Sequence, residues 1–420
     1  MKHFTLTMLM AARNLLKSRR RTVSTLLAIA VGLVGLTFLD GYISYSLHGL
    51  REVVIHSGTG HIQAALSPAY FDEGDDDPFP FMLPNSGELE RELRAQPEVA
   101  DVLPSISFVA VIDAKGRTST AQVSALPVSR AGADLEARQI AAGRDLKPGD
   151  TGRILVGRGL AKKLGLVPGD SVSLFAVTKG GGVNTLSYEV AGTTSTIIAA
   201  LDNVSIFMDL GDAAALTGAD SVPQLTVFLK STADTLPVLA RLKAAAARGS
   251  PAANLRAASG LTFRSWEELS PYYRQASTVY RMILAVARLI VLIVALFSIS
   301  GTLSLAILER LREIGTLRTI GSRRFHIAAL FLAEGLMLGV AGVAVGAALG
   351  WGGIAAINAS GGVAMPPQPG TSSAITILFR PELPTFAYNA LWVLLAASAG
   401  SLVPGALSSR RVIAELLRSK

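Results

Sequence analysis

Glu309-Arg310-Leu311-Arg312-Glu313-Ile314-Gly315-Thr316-Leu317-Arg318-Thr319-Ile320-Gly321 is a short charged stretch between two long apolar ones. Arg312, Arg318, Arg323 and Arg324 exclude it from the hydrocarbon of a bilayer, because a central Arg costs about 2.5–3.5 kcal/mol even on the lenient insertion scale. The stretch is too short for a domain and too specifically charged for a spacer. It reads as a turn between two membrane spans, presented to another protein.

Outward from it, Leu289–Leu308 supplies 20 uncharged residues, enough to cross a membrane. The span is taken as 279–308, its helix starting near Pro271 as a stalk. On the other side, 326–357 forms a third span around the glycine-rich Gly335–Ile357. A fourth covers 386–407, after a loop at 358–385 that is rich in Gly, Pro and Ser. Near the start, Thr22–Leu39 gives 18 uncharged residues ending at Asp40, and 22–42 is read as the first span. A signal peptide is the rival reading, but the run is long and no small-x-small cleavage site follows it. Residues 1–21 carry six basic side chains and no acidic one. Phe4, Met8, Ala11 and Leu15 recur there at helical spacing, as in an amphipathic helix lying on a membrane surface.

The composition agrees. Of 420 residues, 50% are hydrophobic and 17% charged, with a mean hydropathy of +0.44, values that suit a membrane protein. With no cysteine, disulfides, thiol catalysis and Cys-type zinc sites are excluded.

Between the first two spans the texture changes. Residues 43–278 hold 21 Lys and Arg against 25 Asp and Glu, as in a soluble α+β domain. Val102–Ile112, Arg153–Val156, Ser171–Val177, Leu186–Val190, Val204–Met208 and Gln224–Leu229 read as strands, and Ser86–Gln96 and Thr235–Ala247 as helices. Asp72-Glu73-Gly74-Asp75-Asp76-Asp77 lacks EF-hand spacing and reads as a solvated acidic loop. Lys179-Gly180-Gly181-Gly182 lacks the Gly-Lys-Ser/Thr of a phosphate cradle and reads as a hairpin loop.

The basic residues orient the chain. Six lie before span one, five between spans two and three, four in the tail at 408–420, and only Arg380 between spans three and four. This positive-inside pattern puts both termini and the turn at 309–325 in the cytoplasm, in a multi-pass protein of the cytoplasmic membrane with its large domain outside. The net charge of +8 then reflects topology and anionic lipid, not nucleic acid.

In this layout the chain resembles the FtsX/MacB/LolC superfamily of ABC transporter permeases, the type VII group. Ala12-Arg13-Asn14-Leu15-Leu16-Lys17 looks like the family's opening helix. The stretch from Glu309 to Gly321, followed by Glu334, looks like its signature, and Val403-Pro404, Arg410-Arg411 and Glu415-Leu416-Leu417-Arg418 like its ending. Gly41, Gly60-His61-Ile62-Gln63 and Ser265-Trp266-Glu267-Glu268 are similar to the lipoprotein-releasing LolC/LolE branch. Ile154-Leu155-Val156-Gly157 and Pro168-Gly169-Asp170-Ser171-Val172 fit that branch and MacB-like domains alike. The resemblance implies four transmembrane helices and a MacB-like periplasmic core domain between the first and second. It also implies a cytoplasmic ABC ATPase dimer, which binds the ATP and Mg, and a second permease protomer, identical or related. A lipoprotein or other amphiphilic cargo and a periplasmic acceptor protein complete the implied set.

The residues themselves carry no enzyme site. No Gly-Lys dipeptide occurs, so the sequence given holds no P-loop. Glu309, Arg310, Arg312, Glu313, Gly315, Arg318 and Gly321 are the candidate docking residues for the ATPase, their charges suited to interface pairs and the glycines to a sharp turn. The rival reading of this stretch is a plain positive-inside loop. Gly335, Gly339, Gly342, Gly346 and Gly350 recur every three or four residues, allowing close packing against another span or a second subunit. Asp40 and Arg288 fall at similar depths near the outer interface, where they pair or Arg288 snorkels. Glu334 suits an interface hydrogen bond better than a proton relay. The five histidines lack metal-ligand spacing.

Overall fold

The computed structural model describes residues 2–74, 76–130, 139–195, 199–248, 256–319, 324–365 and 375–410. The chain divides into a helical unit (Met1–His48, Ala276–Ala364, Thr376–Lys420) and a globular unit (Gly49–Gln275, Met365–Ile375). Helix α1 (Lys2–Lys17) leads into α2 (Arg19–Val54), which ends in a π-helical turn over Ile55–Thr59. Next come β1 (Ile62–Ala65), α3 (Tyr70–Glu73), α4 (Ser86–Arg94), β2 (Val99–Ala114), β3 (Arg117–Leu126), β4 (Gln139–Gly143), β5 (Arg153–Gly157) and α5 (Arg158–Leu164). They are followed by β6 (Ser171–Val177), β7 (Val183–Ser195), α6 (Ala199–Asp202), β8 (Ser205–Asp209), α7 (Leu210–Thr217) and β9 (Gln224–Leu229). Then α8 (Thr235–Arg248), β10 (Thr262–Ser265) and α9 (Trp266–Leu269) precede α10 (Pro271–Glu309), α11 (Leu311–Thr319), α12 (Arg324–Ala359) and α13 (Leu383–Arg410).

Four helices, α2, α10, α12 and α13, are long and apolar enough to cross a membrane. Two features differ from the sequence reading, the end of the first helix and the form of 309–325, while the second helix has its stalk. The first helix runs on to Val54, past the expected limit at 42. The second starts at Pro271, where a missing N–H costs nothing in the first helical turn. Within 309–325 the chain is mostly a nine-residue helix, α11, where a turn was expected.

The globular unit has two lobes that share β2. In its second half β2 pairs with β3 and β6, β3 with β8, β8 with β5, β5 with β7, and β7 with β6. The pairings return to their starting strand, so these six strands form a closed ring without free edges. Every second residue of β2 from Ile106 to Ala114 is buried, and Phe108, Ile112, Val156, Leu174 and Ile206 meet inside. The loop Thr178–Gly182 joins β6 to β7 as a hairpin, closed by Thr178 N–H to Gly182 O at 2.8 Å.

In its first half β2 pairs with β9, which continues through β1 to β10 as a four-stranded antiparallel sheet. Helices α4 and α8 cover that sheet with Leu89, Leu93, Val238 and Leu242 against Leu225, Val227 and Phe263. Pro104 is tolerated because this half of β2 has a strand on one side only. Ser265 and Glu268 form a capping box that stops β10 and starts α9.

Candidate functional site

At the end of the helical unit that carries α11, three polar groups from distant parts of the sequence converge. Asn14 Nδ2 on α1 donates to Glu334 Oε1 on α12 at 2.6 Å. Arg310, at the break between α10 and α11, donates through Nη1 to the same oxygen at 3.4 Å and through Nη2 to the Asn14 carbonyl at 3.1 Å. Glu334 is 1% exposed. A carboxylate this deep needs charge-assisted hydrogen bonds to offset its desolvation, and an amide with a guanidinium supplies them. Asn14 is held there by the corner between α1 and α2, which Thr22 closes by donating its hydroxyl to Leu15 O at 2.9 Å.

Helix α11 is anchored beside this cluster. Ile314 is buried and, with Leu311, packs among Ile307, Ile327 and Phe331. The face opposite Ile314 is exposed at Arg312, Glu313 and Thr316. Around its root Arg21 bonds Glu309, and Lys17 lies 3.9 Å from Glu313. Of the residues nominated from sequence, Glu309, Arg312 and Glu313 thus form a charged outer face. Gly315 is buried. Arg310 was grouped with the outward charges, but the structure turns it inward, because its place at the helix break points the side chain at Glu334. The Arg318 side chain and all of Gly321 lie outside the described residues.

The glycines of α12 serve contacts within the chain. A Cβ at Gly339 would stand 2.8 Å from Ala397 Cβ on α13, and one at Gly335 would strike Ser401. The next three face α2: a Cβ would lie 2.6 Å from Ile29 at Gly342, 3.0 Å from Leu33 at Gly346 and 3.3 Å from Thr37 at Gly350. Helix α10 closes the bundle. Thr25 and Thr302 hydroxyls meet at 2.5 Å, and Gly400 of α13 sits under the Leu296 carbonyl.

Asp40 and Arg288 do not form an ion pair. Arg288 Nε donates to Asn389 Oδ1 at 2.8 Å and its guanidinium lies over the Tyr388 ring at 4.6 Å. Asp40 accepts from the Glu382 backbone N–H at 3.5 Å. Each charge finds a nearer partner along the start of α13 and the loop before it, so similar depth alone does not pair them.

In the globular unit, His61 is buried, with Nδ1 accepting from Leu229 N–H at 3.1 Å and Nε2 3.2 Å from the Thr232 hydroxyl. Burial lowers its pKa from 6.5 to about 4, so it is neutral at physiological pH. Arg144 holds the Asp150 carboxyl well below the usual range, a structural tie between β4 and the turn before β5. In the acidic loop Asp72 lies 3.9 Å from Arg264, and Asp75 is outside the described residues. Among the described residues no group of three His, Asp or Glu is arranged to hold a metal ion.

A mixed globular unit inserted between the first two of four apolar helices, with a charged helix seated at one end of the bundle, defines a permease-type membrane protein. The chain belongs to the FtsX/MacB/LolC family of ABC transporter permeases: residues 22–245 match the model of the MacB-like periplasmic core domain and residues 285–415 that of the FtsX-like permease C-terminal region. It is similar to the lipoprotein-releasing system transmembrane protein LolC of Neisseria meningitidis serogroup B, 27% identical over 217 residues. That match covers 49% of this chain and 50% of the relative, so the chain spans about half the length of the curated relative it matches. Among solved structures, the periplasmic region of MacB from Actinobacillus actinomycetemcomitans aligns with 51% of this chain and 93% of its own, at a TM-score of 0.36 and 13% identity. The extracellular domain of the noncanonic ABC-type transporter YknZ from Gram-positive bacteria aligns with 49% of this chain and 98% of its own, at 0.33 and 12%.

Proposed function

We propose that this permease takes its energy from a separate ATPase dimer, which binds ATP and Mg and docks in the cytoplasm on the outer face of α11. The observation that carries this reading is mechanical. Helix α11 shows Arg312, Glu313 and Thr316 outward, while its root is tied through Arg310 to Glu334 and Asn14. A pull on that face is therefore delivered to α1 and α12 rather than dissipated in a loose loop. In this reading both termini are cytoplasmic, the globular unit lies outside the inner membrane, and α2 and α10 carry the motion to it. A second permease protomer, identical or related, completes the assembly.

The cargo in this reading is a lipoprotein or another amphiphile, passed to a periplasmic acceptor. Along α10, Leu289, Ile290, Ile293 and Phe297 are exposed, an apolar face that suits an acyl chain or the partner protomer. MacB-like efflux of small amphiphiles uses the same parts. FtsX-like signalling to a cell-wall hydrolase has no need of that face. Charge reversal at Arg312 and Arg318 is expected to abolish co-purification of the ATPase while leaving the thermal stability of the permease unchanged. An undiminished yield of ATPase would overturn the docking role.

A further inference from the structure

One helical turn beyond the Glu334 cluster, α1, α2 and α12 line an open groove of about 260 Å³. Leu15 and Leu16 line it from α1, Leu26 from α2, and Met337, Leu338 and Ala341 from α12. Its walls are hydrocarbon. The one hydroxyl there, on Thr22, is spent on the Leu15 carbonyl at 2.9 Å. Water entering the groove would gain no hydrogen bonds, so an apolar occupant is favoured.

The charges around the same corner are one-sided. Lys17 and Arg21 reach Glu313 and Glu309. Arg13, Arg19 and Arg20 are exposed and form no ion pair among the described residues. Arg13 shares a helix face with Leu16, and Arg19 with Thr22, by their three-residue spacing. No acidic residue precedes Asp40. Leu9 and Leu16, each 67% exposed, extend the apolar surface along α1.

We propose that this groove holds an acyl chain of one anionic phospholipid, its phosphate taken by Arg13, Arg19 and Arg20. Charge complementarity selects the anionic headgroup, and the dry groove selects the chain. A lipid seated there braces α1 against α12, the two helices that Asn14 and Glu334 join, so the site makes the seating of α11 sensitive to membrane composition.

The test uses the full chain in nanodiscs of phosphatidylglycerol or phosphatidylcholine, extracted into detergent and weighed by native mass spectrometry. One retained phosphatidylglycerol per chain is expected, preferred about tenfold over phosphatidylcholine. Ala341→Phe and, as a second filling variant, Ala12→Phe, at a residue of α1 that also lines the groove, should each lose it. Replacing Arg13, Arg19 and Arg20 by Gln should keep a lipid but remove the preference. Equal retention of the two lipids by the unmodified chain would overturn the proposal. So would unchanged phosphatidylglycerol retention in the filling variants; if neither filling variant folds, the headgroup preference and its loss in the Gln variant decide. None of these readings involves the ATPase, so the outcome is independent of the docking experiment.

Discussion

A buried carboxylate inside a helix bundle is tolerated only while its partners stay in place. Removing one partner of such a pair costs about 3–5 kcal/mol, because the other charge is left desolvated and alone. Arg310→Ala is therefore expected to lower the melting temperature of the purified permease, whereas Arg312→Ala, at an exposed position, should leave it within experimental error. Equal effects would show that Arg310 is not the inward residue. His61 gives a second test. Its folded pKa of about 4 lies below the unfolded 6.5, so the unfolded chain binds the extra proton between those values. Stability is then full above pH 6.5 and falls by about 3 kcal/mol as the pH drops to 4. Denaturant unfolding of the full chain, followed by the fluorescence of buried Trp266, should show that slope, and His61→Gln should flatten it. At this scale the sequence was only half legible. Charge marked Arg310 and Arg312 alike as exposed; only the helix break at Arg310 separates their fates.

For the elements, close approach is what the α12 glycines allow. Gly342→Leu should destabilise the bundle by about 1–3 kcal/mol through overpacking. Gly352→Leu, where a Cβ meets nothing within 4 Å, should have little effect, as measured by thermal unfolding in detergent. Comparable losses at both would mean that the α2–α12 packing is wrong. Long apolar runs made all four membrane helices readable; β6 was readable from alternation and β9 as a short apolar run with β-branched residues. Strands β1, β3, β4 and β10 were missed. β3, Arg-Thr-Ser-Thr-Ala-Gln-Val-Ser-Ala-Leu, points Ala121, Val123 and Ala125 inward, side chains too small to mark a buried face. The pairing of β6 with both β2 and β7 depends on register between distant segments, which no local pattern encodes.

On the scale of the molecule, the absence of cysteine gives a clean background for labelling. If the proposed orientation holds, Lys179→Cys will react with a membrane-impermeant maleimide on intact cells once any outer barrier is permeabilised. Thr316→Cys, on the outer face of α11, will react only after the cytoplasmic membrane is opened. Labelling of both from the same side would refute the topology. The distribution of Lys and Arg is what this proposed orientation rests on, since short loops carry the orienting charge. It could not show how α11 is tethered, because Asn14 and Glu334 are 320 positions apart.

The circular closure of six strands has a mechanical corollary. A flat sheet loaded at its margin fails like a zipper, one hydrogen bond at a time, starting from its outermost strand. A hoop offers no outermost strand, so tension applied at one point spreads around the circumference and several rows of bonds must break together. A module of this kind can be tugged through repeated cycles and return to shape.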